Sequence, residues 1–262
     1  MLRLAITLAL TLLPALTRAQ TPELTDPGKL TWGVSVTFPP FEFQDNGKPA
    51  GFDIDLVDAL AKRIGLQSAI LPIEFKGLIP ALEGRRIDII VSGMYINPQR
   101  LEVVDMIPYL LVGNQILVRK GNPRKIESRA SLCGLNAAAP VATVFEASAK
   151  QASADCKAAG KPEINLLSLA GTTGCALALA QERADAIIVS TPTVAALMHE
   201  QPDAFEPAGA PFNTDTKVGI AVRKDNTVLK AALGSALQGM VKDGSYEALI
   251  KKWGMPASSS IF

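Results

Sequence analysis

The guanidinium of an arginine is a group that can bind a carboxylate, and Arg100 is one arginine that follows a predicted strand. Arg100 follows closely after Ile87–Ser92, an apolar run typical of a buried parallel strand. Ser92 and Gly93 stand at the carboxyl end of this run, where α/β folds place their binding sites. A guanidinium binds a carboxylate through paired, charge-assisted hydrogen bonds. The alternative interpretation is a surface helix arginine in a Pro-x-Arg turn, and the residues alone leave both open.

Other classes of site chemistry find little support in the sequence. The chain has a single histidine, His199, and no Cys/His cluster, which argues against a transition-metal site. No nucleophile–base pair is visible, and the sequence predicts no cofactor. Three cysteines, Cys133, Cys156 and Cys175, allow one disulfide in an oxidising compartment and leave one thiol over. The residues alone do not choose among the possible pairings.

The elements that must position these residues alternate between short apolar runs and helical patterns. The predicted strands are Leu30–Val36, Ala69–Ile73, Ile87–Ser92, Leu135–Ala139, Ile164–Leu167 and Ala186–Val189. The predicted helices are Asp53–Ile64, Gly77–Glu83, Thr143–Ala154, Gly174–Gln181, Asn226–Val241 and Tyr246–Trp253. Repeated strand–helix alternation favours a largely parallel α/β architecture.

Two further extended segments, Gly113–Arg119 and Lys217–Arg223, are predicted to be strands that cross between two lobes. Lobe 1 is then discontinuous, formed by residues 28–114 and 213–262, and lobe 2 contains residues 119–212. Each lobe has the size of an ordinary small domain. The predicted fold is therefore two α/β lobes, each a mostly parallel sheet flanked by helices, joined by two hinge strands.

Residues 1–19 have the composition of a secretory signal peptide. Arg3 supplies a positive start, the run from Leu4 to Leu16 is largely apolar, and Thr17-Arg18-Ala19 offers small residues at a cleavage site. The apolar run is shorter than the ~20 residues that a membrane-spanning helix needs. We therefore predict cleavage after Ala19 and secretion into a periplasm-like space.

The overall composition is that of a folded, near-neutral protein. Of 262 residues, 48% are hydrophobic and 19% are charged, which excludes the high-charge bias of disordered chains. The formal net charge of +1 becomes −1 when Arg3 and Arg18 are removed. A chain this close to neutrality gives no electrostatic reason to expect nucleic acid or an anionic membrane as a partner.

Several short motifs resemble one known family in their order and spacing. The strongest is Gly51-Phe52-Asp53-Ile54-Asp55-Leu56, a glycine, an aromatic residue and two acids that open an amphipathic helix. The others are Phe38–Phe43, Gly77–Leu82, Ser92-Gly93-Met94 followed by Ile96, Pro98 and Arg100, Arg183–Ala186, Val218–Val222 and Asp243–Tyr246. Together they resemble the polar amino-acid solute-binding proteins of ATP-driven (ABC) importers. The resemblance implies the two-lobed periplasmic-binding-protein fold, a monomer, and a small carboxylate or amino-acid ligand delivered to the membrane subunits of an importer.

The resemblance implies that five residues form the part of the site that binds the ligand's carboxylate. Arg100 ends the Ser-Gly-Met…Arg motif and would bind the carboxylate through two parallel hydrogen bonds. The backbone around Ser92 and Gly93 faces the ligand. The facing lobe supplies a helix N-terminus at Thr143 and Val144, whose free N–H groups favour an anion. The family usually has Gly-Thr-Thr there, so this chain keeps the backbone contact and lacks a second hydroxyl.

Two aromatic positions and three departures from the family pattern complete the predicted site. Phe38 and Phe75 hold positions where aromatic rings clamp the ligand's side chain, with ordinary core packing as the alternative. Tyr95 stands where a Ser or Thr normally touches the carboxylate, and it either reshapes the pocket or points to solvent. Ser190 and Ser35 stand where the family places acids, which pair with the ligand's α-ammonium at the Ser190 position.

These two serines raise the question of whether the ligand carries an amine. A buried ammonium without a counter-charge costs on the order of several kcal/mol, so a cleft without acids favours an amine-free carboxylate or a dicarboxylate. In the alternative hypothesis Glu146, Asp215 or another acid swings in and an ordinary amino acid still binds. The sequence leaves both hypotheses open.

The resemblance also implies a particular disulfide. A subset of the family carries Leu-Cys-Gly before a lobe 2 strand and a second cysteine shortly before Gly-Lys-Pro. Cys133 and Cys156 match these positions, the latter preceding Gly160-Lys161-Pro162. We therefore expect a Cys133–Cys156 disulfide, with Cys175 as a buried thiol.

Two competing functions belong to the same fold. Periplasmic dehydratases that act on cyclohexadienyl acids share it, but the positions mapped to the cleft offer no carboxylate to protonate a leaving hydroxyl. A ligand sensor that docks onto a separate receptor is the third interpretation. We predict a binding protein that is not an enzyme.

Overall fold

The structure is a computed structural model that describes residues 21–262, so the predicted signal peptide lies outside the described residues. Within this range the strands are β1 (Lys29–Val34), β2 (Phe43–Asp45), β3 (Lys48–Ala50), β4 (Gln67–Pro72), β5 (Ile89–Ile90), β6 (Val104–Arg119), β7 (Asn136–Pro140), β8 (Asn165–Leu169), β9 (Ala186–Ser190) and β10 (Phe205–Arg223). The helices are α1 (Phe52–Arg63), α2 (Leu78–Glu83), α3 (Pro98–Val103), α4 (Val144–Ala158), α5 (Thr172–Ala180), α6 (Thr191–Glu200), α7 (Thr227–Lys242) and α8 (Ser245–Lys252).

The two longest strands organise the molecule. β6 and β10 pair antiparallel from the Val104–Arg223 pair to the Arg119–Phe205 pair, with an irregular register around Phe212. The sheet order is β4-β1-β5-β10-β6-β9-β7-β8, and β4, β1 and β5 run parallel to one another, as do β9, β7 and β8. The predicted α/β architecture is confirmed. We refer to the half that contains β4-β1-β5 as lobe 1 and to the half that contains β9-β7-β8 as lobe 2.

The predicted crossing segments both lie on this central pair of strands, but they do not pair with each other. Gly113–Arg119 lies at the lobe 2 end of β6, where residues Asn114–Val118 pair with β9. Lys217–Arg223 lies at the lobe 1 end of β10, where Ala221 and Val222 pair with β5. The sequence shows that each segment is extended and apolar, whereas their antiparallel alignment depends on contacts distant in the chain.

Helix α1 shows why the elements form where they do. Its apolar residues Leu56, Val57, Leu60 and Ala61 recur at helical spacing, and all four are buried. Acids in its first turn and bases in its last turn complement the helix dipole. Each end of α1 lies one residue from the predicted bounds Asp53–Ile64.

Sequence patterns did not predict α3 or the short β2–β3 hairpin, and they placed His199 in a helix without giving the bounds of α6. Both helices begin with a capping side chain followed by proline, which is a helix-start signal: Asn97 precedes Pro98, and Ser190 precedes Thr191-Pro192. The predicted strand Ile87–Ser92 is also longer than the strand observed, because only Ile89–Ile90 joins the sheet.

Apolar side chains form one large core and two smaller ones. The large core extends through both lobes along β6 and β10. One smaller core lies under α2 in lobe 1 and includes Leu78 and Ile90; the other lies under α5 in lobe 2 and includes Leu179 and Val189. These cores fix the ends of the strands that carry the cleft residues.

The cysteines are all in lobe 2. Cys133 and Cys156 form a disulfide, which is the pair that the resemblance implied. Cys175 is a buried free thiol in the smaller lobe 2 core, and burial raises its pKa to about 12. At neutral pH Cys175 is therefore a neutral apolar side chain rather than a reactive thiolate.

Candidate functional site

The two lobes meet at a narrow cleft whose cavity volume is about 30 Å³, room for little more than water molecules. Eight of the ten residues predicted to bind ligand line this cleft: Ser35, Phe38, Phe75, Gly93, Tyr95, Arg100, Thr143 and Val144. The other two, Ser92 and Ser190, are fully buried outside it. The structure therefore brings most of the predicted residues together from both lobes.

Arg100 is held by contacts from both lobes. Its Nη1 atom donates to the carbonyl of Tyr95 (2.6 Å), and its Nη2 atom donates to the carbonyl of Ala142 in lobe 2 (3.4 Å). The guanidinium carbon lies 5.3 Å from the centre of the Phe75 ring, a cation–π distance. Within residues 21–262 Arg100 forms no ion pair. Burial lowers the pKa of Arg100 to about 10, so it is still a cation at neutral pH.

Helix α4 presents its N-terminus to the cleft. Thr143 is its N-cap residue, and the Thr143 hydroxyl accepts from the N–H of Glu146 (3.3 Å) and donates to the carbonyl of Pro140 (2.6 Å). Because the cap uses this hydroxyl twice, the donors that α4 offers are the backbone N–H groups of its first turn, starting at Val144. These groups have no intrahelical partner and favour an anion.

Aromatic rings from both lobes narrow the cleft. Phe145, which was not predicted to take part, meets the ring of Phe38 edge-on at 5.9 Å and that of Tyr95 at 5.4 Å. Phe38 also stacks on Phe41 at 4.7 Å. The Tyr95 hydroxyl donates to Oδ1 of Asn114 (3.1 Å), so Tyr95 points into the protein and not to solvent. These rings therefore leave little free space between the lobes.

The three predicted serines have different structural roles. The Ser92 hydroxyl accepts from the N–H of Ser35 (3.0 Å) and donates to Oε1 of Glu42 (2.8 Å). Ser190 caps α6, since its hydroxyl accepts from the N–H of Thr193 (3.2 Å) and lies 2.7 Å from the Thr193 hydroxyl. Only Ser35 lines the cleft. The structure therefore does not bring Ser190, which stands at the family's acid position, to the ligand space.

An acid that the sequence analysis did not assign to the site is among the residues that line the cleft. Glu42 lines the cleft although only 1% of its surface is exposed. Burial, together with the neighbouring Asp53 carboxyl, raises the pKa of Glu42 well above its usual range. Glu42 belongs to the Phe38–Phe43 motif, and the signal that marks it is an acid enclosed in an apolar run. Such an acid needs a buried partner or a ligand.

The contacts of Asp53 show what the glycine–aromatic–acid motif does in the structure. Its Oδ2 atom accepts from the N–H of Gly93 (2.7 Å) and its Oδ1 atom accepts from the hydroxyl of Tyr109 (2.7 Å). A Cβ atom at Gly51 would lie 2.1 Å from the carbonyl oxygen of Phe41, so only glycine fits there. Burial raises the pKa of Asp53 to about 6, although these hydrogen bonds oppose the shift. The motif thus fastens the start of α1 to the turn that carries the cleft residues.

Glu146, which the sequence placed near the cleft, is engaged elsewhere. Its carboxylate accepts from the N–H of Ala142 (2.9 Å) and the hydroxyl of Ser168 (2.6 Å), and it pairs with Lys150 (3.0 Å). Burial acts to raise the pKa of Glu146, but these partners hold it below its ordinary value. Glu146 therefore positions the loop before α4, and neither it nor Asp215 is among the residues that line the cleft.

Direct contacts hold the lobes together at the cleft. The backbone N–H and the hydroxyl of Thr173 in lobe 2 both lie 3.3 Å from the carbonyl oxygen of Thr37 in lobe 1 and donate to it. A Cβ atom at Gly171 would lie 2.3 Å from the Thr37 hydroxyl oxygen, so the backbones approach as closely as glycine permits. With the bond from Arg100 to Ala142, these contacts define a closed form.

The groups that converge in the cleft are a guanidinium, a helix N-terminus, aromatic rings and one acid. Within residues 21–262, no three His, Cys, Asp or Glu side chains are placed to hold a metal ion. Across the same range, every helix is too short or too polar to cross a membrane. A closed cleft of this kind between two α/β lobes defines a binding protein of the periplasmic-binding class.

Comparisons with known proteins agree with this class. The chain matches the bacterial extracellular solute-binding proteins, family 3, over residues 30–256. It is 30% identical over 228 residues to the L-cystine-binding protein TcyJ of Escherichia coli strain K12, covering 86% of this chain and 82% of that protein. An ancestral arginine-binding protein bound to arginine has a TM-score of 0.80 and 34% identity, covering 86% of this chain and 98% of that one. The ancestral amino-acid-binding protein AncCDT-1, a precursor of cyclohexadienyl dehydratase, has a TM-score of 0.76 and 32% identity, covering 86% and 95%.

This chain belongs to the bacterial extracellular solute-binding proteins, family 3. The match extends from β1 to beyond α8, so it includes every motif from Phe38–Phe43 to Asp243–Tyr246. The family resemblance inferred from those motifs is confirmed.

Proposed function

We propose that this protein captures an amino acid between its two lobes and delivers it to an ABC importer. The observation that carries the proposal is Arg100, a buried cation in a closed cleft beside the N-terminus of α4. A carboxylate placed there would accept charge-assisted hydrogen bonds from both lobes, each contributing ~1.5–3 kcal/mol. The similarity to proteins named for cystine and arginine supports an amino acid over other carboxylates.

The proposed mechanism is closure of the lobes around the ligand. Lobe 1, residues 28–114 and 213–262, would bind first through Arg100 and the Gly93 backbone, with Phe38 and Phe75 against the ligand's body. Lobe 2, residues 119–212, would then add the first turn of α4. Contacts made only in the closed form supply the free energy that shifts the population toward closure, with β6 and β10 as the hinge.

The proposal places the mature protein in the periplasm as a monomer. Removal of residues 1–19 would release a chain whose described helices include none suited to span a membrane. The membrane subunits of the importer would recognise the closed form, because only closure brings the surfaces of both lobes into one fixed arrangement.

A thermal-shift panel tests this function. The mature protein is heated with L-arginine, L-cystine or L-glutamine, each compared with its amine-free counterpart, δ-guanidinovalerate, dithiodipropionate or glutaramate. A ligand that binds only the folded state raises Tm, by an amount set by about 2.7 kcal/mol of stabilisation at a hundredfold excess over Kd. We expect at least one amino acid to stabilise the protein more than its counterpart. Stabilisation by no amino acid of the panel would contradict the proposal.

A second candidate function follows from Glu42 and from the similarity to AncCDT-1. A buried carboxyl whose pKa is raised can protonate a leaving hydroxyl, which departs as water while the substrate's ring carboxylate leaves as CO2. The measurement is turnover of prephenate or arogenate by the mature protein, with Glu42→Gln as the variant that lacks the acid. Turnover that Glu42→Gln abolishes would establish the enzyme; no turnover by the unaltered protein would exclude these substrates.

A further inference from the structure

We propose that Glu42 accepts the α-ammonium of the bound amino acid, and that binding expels a proton which Glu42 shares with Asp53. The inference rests on the proposed function, because it requires an amino acid in the cleft. The inference concerns the ammonium group of the amino acid. Ser190 and Ser35, at the positions where the family has acids, supply only hydroxyls, which cannot balance its charge. This chain then recognises the amine with a different acid from the one expected at the family's lobe 2 position.

The charges of the cleft are unbalanced without a ligand. Within residues 21–262, neither Arg100 nor Glu42 nor Asp53 takes part in an ion pair. Arg100 lies at the cleft as a cation, and Glu42 lines the same cleft as an acid. A zwitterion would place its carboxylate against Arg100 and its ammonium against Glu42, so that each charge has a counter-charge.

The position of Glu42 suits a ligand-facing acceptor. Its Oε1 atom accepts from the Ser92 hydroxyl (2.8 Å), which fixes the direction of the carboxyl group. Its Oε2 atom is buried and has no hydrogen-bond donor among residues 21–262 when both carboxyls are ionised. An acceptor that is buried and unmatched at the wall of a cleft is costly unless a proton or a ligand satisfies it.

A shared proton satisfies Glu42 in the free protein. Glu42 and Asp53 are within hydrogen-bonding reach of one another, and two buried carboxylates so close do not both ionise. Asp53 accepts from the Gly93 N–H and the Tyr109 hydroxyl, so Asp53 is the better site for the negative charge. Burial and the charge of Asp53 raise the pKa of Glu42 well above its usual range, so Glu42 keeps the proton.

The other groups that face this pair do not supply a counter-charge. Tyr109 approaches from β6 as a neutral phenol, because burial raises its pKa well above the usual value. Ser92 approaches from the turn after β5 with a hydroxyl. Arg100 lines the cleft but directs Nη1 to the Tyr95 carbonyl and Nη2 to the Ala142 carbonyl. An arriving ammonium would therefore be the first cation to meet Glu42.

Binding and ionisation are then linked. An ammonium favours the ionised form of Glu42, so the pKa of Glu42 is lower in the complex than in the free protein, and the proton leaves to the buffer. Affinity for the amino acid rises with pH between these two pKa values and is constant above the higher one. A carboxylate without an amine leaves Glu42 protonated and shows neither effect.

Calorimetry in two buffers counts the proton. The mature protein is titrated near neutral pH with the panel amino acid that stabilises it most, once in phosphate and once in Tris, whose ionisation enthalpies differ. The difference in apparent binding enthalpy, divided by the difference in buffer enthalpy, gives the protons released. We expect a release approaching one proton for the amino acid and near zero for its amine-free counterpart.

Glu42→Gln and Glu163→Gln provide the matched variants. A glutamine at position 42 mimics the protonated acid, because its oxygen can accept from Ser92 and its amide can donate to Asp53, so the fold is retained. We expect Glu42→Gln to abolish proton release and to weaken binding of the amino acid by ~10-fold to ~100-fold. Glu163, an exposed partner of Lys157, is outside the cleft, and Glu163→Gln should behave as the unaltered protein.

The outcomes separate this inference from the function on which it rests. Amino-acid binding without proton release by the unaltered protein overturns the inference and leaves the proposed function standing. Proton release that persists in Glu42→Gln overturns the assignment to Glu42. Equal release with the amine-free counterpart overturns the role of the α-ammonium. No binding of any amino acid of the panel overturns both.

Discussion

At the scale of single residues, the cleft holds charges whose counter-ions the described chain does not provide. Arg100 is buried, yet its partners within residues 21–262 are two backbone carbonyls and the face of Phe75. A guanidinium has five N–H donors, so these contacts leave several for a ligand. Because burial removes most of the water that would otherwise solvate the charge, a carboxylate bound there gains more than it would at an exposed arginine.

The variant Arg100→Ala should therefore lose about 100-fold or more in affinity, because it removes paired hydrogen bonds worth ~1.5–3 kcal/mol each. Arg100→Lys keeps the charge but not the planar fork, and we expect it to bind with intermediate affinity. Titration calorimetry measures both variants, and circular dichroism checks that each is folded. Arg183→Ala, at an exposed position of lobe 2, is the control. Near-native binding by Arg100→Ala would remove Arg100 from the site.

At the scale of elements, capped helix starts determine what faces the cleft. Thr143 caps α4 and Ser190 caps α6, each through its side-chain oxygen and the N–H three residues later. The two caps are chemically alike, but only α4 begins at the cleft. The family position that would pair with an ammonium is therefore used in this chain to start a helix.

This difference predicts that, of two similar variants, only one has an effect on binding. Thr143→Ala and Ser190→Ala each remove one N-cap, which should lower the free energy of unfolding by ~1 kcal/mol in urea denaturation. Only Thr143→Ala should also weaken amino-acid binding, by several-fold, since its helix start moves relative to the ligand. Loss of affinity in Ser190→Ala, with α6 still folded, would show that Ser190 contributes to the binding site.

At the scale of the whole molecule, function depends on how closely the lobes can approach. Gly171 is the N-cap residue of α5 in lobe 2, and its backbone is extended (φ −168°), a conformation open to any residue. The restriction at this position therefore comes from the other lobe, because a side chain would collide with Thr37. This close approach joins lobe 1 to lobe 2.

Gly171→Ala should accordingly fold normally and close poorly. Overpacking of this kind costs ~1–3 kcal/mol, which lowers affinity roughly 5-fold to 150-fold when it applies only to the closed form. Small-angle scattering with saturating amino acid should show a larger radius of gyration than for the unaltered protein. Removing the opposing side chain with Thr37→Gly should restore closure and affinity in the double variant. Unchanged affinity in Gly171→Ala would show that binding does not need this closed form.

The sequence by itself determined the α/β class, the approximate positions of six of the eight α-helices within residues 21–262, and the family. These features follow from local patterns: the 3.6-residue spacing of apolar side chains, the charges at the ends of α1, and short motifs in a fixed order. Arg100 could be placed at the cleft because a motif links it to the strand end at Ser92. Features that depend on residues close together in the chain could therefore be predicted from the sequence.

Only the tertiary structure decided which side chains meet across the chain. Glu42 and Asp53 look like two separate acids in the sequence, and the fold makes them a buried, interacting pair in which the pKa of each is raised. The ring of Phe145 narrows the cleft only because lobe 2 closes onto Phe38. Burial and long-range contact set pKa values and pocket shape, and neither has a local signature, so the acid of this cleft could be assigned only once the chain was folded.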